Sequence, residues 1–359
     1  MIGTVATRRR VIVAIVGAAT ALYLVWLVVA HWHEIDRALL RFGRAQTRWL
    51  VAAIAFEILS QGCAVAVQHH LLRRAGSMFA VSATVRLVLT QNAIGLAVPG
   101  GQAVASVYSY RQIRRHSPNS TSAAWVVAAS NLVAMVALAT FAAFTATGAS
   151  WLTALSAVGL VVVLVVLVIV AHDPGPLIRP AASVVRFGDR LRRRRSPDSA
   201  EARVAHRFER LSAVRMRWND WLLIAAVALV AVAADCAVWI CATHAIVVLP
   251  ARCLHTAVSV RVARQCASFR APSSTALLLA YSAGQAALQL PLLPGGIGLV
   301  ESVMTATLTT SKVRALQALS AVLLYRVISF WSIIAAGAVI MLAVRRRGLN
   351  LDRGAGLTD

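Results

Sequence analysis

The sequence predicts an all-α polytopic membrane protein built as an inverted repeat, and three observations carry that prediction. The chain of 359 residues is 59% hydrophobic and only 14% charged, with a mean hydropathy of +0.73. A soluble domain is roughly half apolar and about a quarter charged. Apolar runs of the ~20 residues needed to cross hydrocarbon recur along it, separated by arginine clusters. Finally, two apolar stretches carry similar breaks: Val98-Pro99-Gly100-Gly101-Gln102, and Pro294-Gly295-Gly296-Ile297-Gly298-Leu299-Val300-Glu301. Unpaired backbone groups are costly in hydrocarbon, so such a break is tolerated only where protein or a wet cavity surrounds it.

In chain order, Arg8-Arg9-Arg10 precede an apolar run from Val11 to Ala30, which reads as an uncleaved first helix. A second helix from Trp49 to Leu72 stops at Arg73-Arg74. The stretch 81–110 holds the first break and closes at Arg111, Arg114 and Arg115; runs 123–144 and 152–171 follow, joined by a turn around Gly148. Residues 172–219 change character, with Arg192-Arg193-Arg194-Arg195 and four prolines, and read as a basic cytoplasmic linker with a short surface helix near 200–211. The second half contains runs 221–248, 274–309 (with the second break) and 316–344, before Arg345-Arg346-Arg347. Between them, 250–273 is apolar but carries Arg252, Arg261, Arg264 and Arg270. The expected organisation is an N-terminal helix and loop (1–48), a first membrane repeat with a linking helix (49–171), the linker (172–219), a second repeat (220–344) and a tail (345–359).

Arginine-rich loops mark the cytoplasmic side. Placing 1–10, 73–74, 111–115, 172–219 and 345–347 there makes 81–110 begin and end in the cytoplasm, whereas 274–309 begins and ends outside. Each is then a hairpin, either re-entrant or a pair of full crossings, in addition to about six spanning helices. The flanking helices are threaded oppositely in the two halves. Trp49-Leu50 and Cys63-Ala64-Val65 echo Trp221-Leu222 and Cys236-Ala237-Val238. Matching Gly/Pro-interrupted segments in inverted repeats point to a transport site near the midplane.

The formal charge of +23 is concentrated in short loops facing an anionic leaflet, so a nucleic-acid partner is not needed to explain it. The five cysteines form no C-x-x-C pair and read as small apolar residues, and no metal or other cofactor is expected. There is no G-x-x-x-x-G-K-[ST], H-E-x-x-H or G-x-S-x-G motif, so neither a single-chain ATP-driven pump nor a familiar soluble catalytic constellation is indicated.

Charges at bilayer depth cost at least about 2.5–3.5 kcal/mol and must pair or face water. Glu57, Asp235 and Glu301, with Arg86 and Arg326, lie within apolar runs. Glu301 follows the second break and Arg326 lies on the next helix, so an ion pair is feasible; a structural clamp and a substrate contact are both open. Glu57 and Asp235 occupy equivalent first helices and are candidate coupling residues, with carboxylates bonded to neighbouring polar groups as the alternative. Gln285 and Gln289, before the second break, and Gln102, within the first, either glue helices or line a polar cavity. Pro99, Gly100, Gly101, Pro294, Gly295, Gly296 and Gly298 are candidate substrate-binding backbone, since N–H groups freed beside glycines suit a phosphate.

The segment PGGIGLVESVMTATLTTSKVRALQALSAVLLYRVISFW (294–331) resembles the lysylphosphatidylglycerol synthase/flippase transmembrane-domain family. Pro294, Gly295, Gly296, Gly298 and Glu301 match that family's Pro-Gly-Gly-x-Gly-x-x-Glu break, and Leu323 and Arg326 match its Leu-x-x-Arg. The resemblance spans roughly 45–345. It implies a bacterial inner-membrane protein with cytoplasmic termini that moves a phospholipid or lipid-linked glycan between leaflets; a membrane-embedded accessory or transferase subunit acting on a lipid-linked donor, with an enzyme partner in the membrane, is the alternative. Two departures limit what carries over. The family's soluble aminoacyl-transferring domain is absent from this sequence, and Ser130-Asn131 stand where the first half often holds an acid–Arg pair.

Overall fold

A computed structural model describes residues 46–145, 216–246 and 272–355, apart from 78, 99, 117–119, 291–292 and 312. Among these residues the backbone is helical throughout its regular elements. The helices are α1 (Thr47–Arg74), α2 (Val81–Ala97), α3 (Gly101–His116), α4 (Ser120–Thr145), α5 (Trp218–Ile246), α6 (Ser274–Leu288), α7 (Leu299–Thr310), α8 (Ala315–Arg326) and α9 (Ser332–Ala355). A 3-10 turn, Pro294–Gly296, lies between α6 and α7, and a π-helical turn, Val327–Trp331, joins α8 to α9.

Four helices among the described residues are long and apolar enough to cross a membrane: Thr47–Arg74, Ser122–Thr145, Trp218–Ile246 and the composite Ala315–Val344. They coincide with the runs expected at 49–72, 123–144, 221–248 and 316–344. The further runs at 11–30 and 152–171, most of the basic linker and most of 250–273 lie outside the described residues. The helices flanking the breaks are shorter, at 17 and 16 residues for α2 and α3, and 15 and 12 for α6 and α7. At 1.5 Å per residue they reach about 18–26 Å, short of a ~30 Å hydrocarbon core. They fit re-entrant hairpins better than full crossings. The order long helix, short helix, glycine break, short helix, long helix thus occurs twice.

The chain forms two compact units, each assembled from several segments. One unit contains 59–91 and 106–233. Its core is a stripe of small and branched residues on α4 (Ala123, Val126, Ala129, Val133, Ala137), recurring every three or four positions and hence on one helix face. Leu71 and Leu72 of α1, Leu87 of α2, Ile113 of α3 and Ile224 of α5 pack with it. Small side chains suit this role, because in lipid it is close van der Waals contact, rather than escape from water, that holds helices together. At the end of this unit Asp220, in the first turn of α5, accepts from Arg74 Nη2 at 2.5 Å and pairs with His70 Nε2 at 3.2 Å.

The other unit contains residues up to Ile58, 92–105 and 234 onward. Here the α5 face Ala234, Val238, Trp239, Ala242 and Ala245 is buried, as are Ala318, Ala321, Val322 and Tyr325 of α8. Trp49 stacks on His244 with ring centroids 5.0 Å apart, and Trp239 Nε1 donates to Leu277 O at 3.0 Å. Helices α6 and α7 pack directly against each other. Gly284 leaves room for Met304 of α7, since a Cβ there would come within 2.6 Å of Met304 Cγ.

Candidate functional site

The second break folds as it does because its glycines adopt conformations that other residues avoid. Gly295, Gly296 and Gly298 have φ of +52°, +63° and +85°. The left-handed region costs an L-residue roughly 1–2 kcal/mol. Space is equally restrictive at Gly295, where a Cβ would fall 2.0 Å from Phe330 Cε2 and 2.9 Å from Leu96 O. Leu96 lies in the last turn of α2, directly before the first break, so the two breaks are neighbours within one unit.

The carboxylate and guanidinium anticipated beside this turn bind it together. Glu301, in the first turn of α7, accepts Gly298 N–H through Oε2 at 2.7 Å and Arg326 Nε through Oε1 at 2.7 Å. An acid in a helix's first turn also complements the partial positive charge of that terminus. Arg326 Nη2 donates to Gly295 O at 2.5 Å, and its guanidinium carbon lies 4.2 Å from the centroid of the Phe330 ring. Glu301 and Arg326 are 17% and 5% exposed at their side chains. This ion pair closes the turn on itself.

A second polar cluster lies beside it, because Tyr325 precedes Arg326 on α8. Asp235 Oδ2, on α5, accepts from Tyr281 Oη at 2.9 Å, Gln285 Nε2 at 2.9 Å and Tyr325 Oη at 3.0 Å. Gln285 Nε2 also reaches Tyr325 Oη at 3.3 Å, and Trp239 packs edge-on against Tyr325 at 5.8 Å. Glu57 of α1 is buried and within electrostatic reach of Tyr325. Among the described residues no cation pairs with Asp235. Asp235 is thus a part-buried carboxyl group met only by neutral donors, which a proton or a cationic group can complete.

The remaining expected site residues divide. Gln289 is exposed and caps the C-terminus of α6 through its own N–H. Gln102 is exposed, with its side-chain amide against Gly95. Gly100 has φ +62°, and Gly101 is buried so tightly that a Cβ would lie 2.3 Å from Gly95 O. Pro294 is buried in the turn, and Pro99 lies outside the described residues. Arg86 is exposed, its Nε donating to Ser82 O. Asn131 Nδ2 donates to Ser106 Oγ at 3.1 Å, so an amide–hydroxyl pair stands where an acid–Arg pair was looked for.

Tyr281 and Tyr325 are not among the residues singled out from the sequence, yet both donate to Asp235. A signal existed: Tyr281 and Gln285 are four apart on α6, and Asp235 and Trp239 four apart on α5, so each pair shares a helix face. The π-helical turn after Arg326 was also missed; such turns insert one residue into a helix and frequently mark functional sites.

No curated protein matches the chain. The model of the family described as lysylphosphatidylglycerol synthase TM region, in contrast, matches residues 11–337, nearly the full length. With its all-helical membrane architecture and its two neighbouring glycine breaks, the chain belongs to that family and is a multi-pass membrane protein related to lipid modification or transport.

Proposed function

We propose that this protein is a flippase-like carrier that binds the polar headgroup of a phospholipid or lipid-linked glycan and passes it between leaflets of a bacterial inner membrane. The observation that carries this reading is Asp235, a carboxylate on a membrane-crossing helix held by Tyr281, Gln285 and Tyr325 without a cation among the described residues. Intramembrane ionisable groups are expensive and mark ion or substrate pathways. The adjoining glycine turn supports it, because broken hairpins at matching positions of two repeats are where carriers place their sites. With both termini and the arginine clusters in the cytoplasm, the two hairpins enter from opposite faces. Glu301 and Arg326 then hold the turn in shape, while Asp235 and its donors meet the moving headgroup or a coupling proton.

The test is translocation of fluorescent phospholipid in proteoliposomes, read by quenching from one side. The wild-type chain should exchange lipid, and Asp235→Asn should slow exchange at least tenfold with unchanged elution from a sizing column. Equal rates in the two proteins would refute the role of Asp235. Formation of a modified lipid without exchange would favour a membrane-embedded transferase subunit.

A further inference from the structure

A pocket of about 510 Å3 lies at the C-terminal end of α1, lined by His69, Arg73, Gly76, Ser77, Phe79, Ala80 and Val81. All of these residues belong to one unit, and none is used by the site described above. The helix α1 ends in a left-handed glycine cap. Gly76 has φ +74°, and the N–H groups of Gly76 and Ser77 return to Arg73 O and Leu72 O at 3.1 and 3.0 Å. This turn delivers the chain to the start of the 17-residue helix α2 at Val81, where the N–H groups of Ala83 and Thr84 already donate to Ala80 O at 3.0 Å and those of Val81 and Ser82 have no backbone acceptor among the described residues.

Three side chains give the pocket its chemistry. Arg73 has no acceptor among the described residues, whereas its neighbour Arg74 is engaged by Asp220. His69 is oriented by a 3.2 Å contact between Nδ1 and Thr84 Oγ1, which itself donates to Ala80 O at 3.2 Å. Ser77 is only 3% exposed, yet its Oγ has no hydrogen-bond partner. A buried hydroxyl without a partner is unfavourable and calls for an explanation, such as a ligand that bonds it. No lining residue is acidic.

From this arrangement we infer that the pocket binds a phosphate-bearing ligand, either a glycerophospholipid headgroup or a free phosphate compound. The guanidinium, the Ser77 hydroxyl and the N-terminus of α2 all suit a tetrahedral oxyanion. The volume exceeds that of a bare phosphate and is within the range of small-ligand sites. The pocket's place at the arginine-marked end of a helix long and apolar enough to cross a membrane suits contact with lipid phosphates.

The full-length protein in detergent provides the test, using palmitoyl-oleoyl-phosphatidylglycerol and inorganic phosphate as probes. Lipid adducts are read by native mass spectrometry, and protection by the midpoint of thermal unfolding. Arg73→Gln should weaken phosphatidylglycerol binding about tenfold, whereas Arg115→Gln, which removes a charge bonded to Gln112 outside the pocket, should leave it unchanged. Ser77→Ala should raise the midpoint without ligand, by removing the unpartnered hydroxyl, and lower the protection that ligand confers. Binding of lipid alone identifies a headgroup site; displacement of lipid by inorganic phosphate, with protection by phosphate alone, identifies a free-phosphate site. Unchanged binding in both pocket variants, or an equal loss in Arg115→Gln, would overturn the inference. None of these readouts depends on lipid exchange, so the result stands apart from the carrier reading.

Discussion

Replacing Arg326 by methionine keeps much of the side-chain volume and removes the charge, which isolates the electrostatic part of the glycine-turn clamp. The guanidinium bonds Glu301 Oε1 at 2.7 Å and Gly295 O at 2.5 Å and lies over Phe330, with only 5% of the side chain exposed. Without it, Glu301 retains one partner, the Gly298 N–H, and an uncompensated charge. Breaking a buried pair by removing one member costs about 3–5 kcal/mol. Glu301→Gln should cost a similar amount, about 3–5 kcal/mol, since it leaves the more deeply buried Arg326 guanidinium without a counter-charge. Once Glu301 is neutral, Arg326→Met no longer strands an acid, so the double variant should be more stable than the summed single losses by about 2 kcal/mol. Unfolding in mixed detergent–dodecyl sulfate micelles, followed by tryptophan fluorescence, supplies the four free energies. A loss below about 1 kcal/mol for Arg326→Met, or a strictly additive cycle, would refute the clamp.

Two further substitutions probe the close approaches of backbone. Gly295→Ala meets both a left-handed φ and a Phe330 ring atom 2.0 Å from the new Cβ, so it should cost about 3 kcal/mol or more and sharply reduce the yield of monodisperse protein; near-normal yield and stability would count against the turn geometry. Gly284→Ala meets instead the flexible Met304 side chain at 2.6 Å. It should cost about 1–2 kcal/mol in the same unfolding assay, and Gly284→Ala with Met304→Ala should recover part of that loss, whereas an unrelieved loss would place the strain elsewhere.

Much of the site was legible before any coordinates. Glu301 and Arg326 could be paired on paper because a carboxylate three residues past a glycine cap and a lone arginine in the next apolar helix each need a partner in hydrocarbon, and few are within reach. The Asp235 cluster was only half legible. Its members come from α5, α6 and α8, and no local spacing reveals that Tyr325 and Gln285 converge on one carboxylate oxygen. Ser77 and Arg73 gave no signal at all, since a serine after a basic helix end is ordinarily a solvated turn residue.

By itself the sequence determined the class of solvent and, among the described residues, where the chain is helical and where it bends. Apolar length, arginine placement and paired glycine breaks are local quantities, and the cost of burying charge or bare backbone in hydrocarbon converts them directly into helices, loops and bends. Only the tertiary structure decided which polar groups meet. It turned Glu301 and Arg326 inward to close the turn, left Asp235 with neutral donors, and brought Leu96 of one break against Gly295 of the other. Those outcomes depend on how close-packed helices are rotated and displaced against one another, and helix–helix contact in lipid is set by shape across long sequence separations rather than by any residue's local preference.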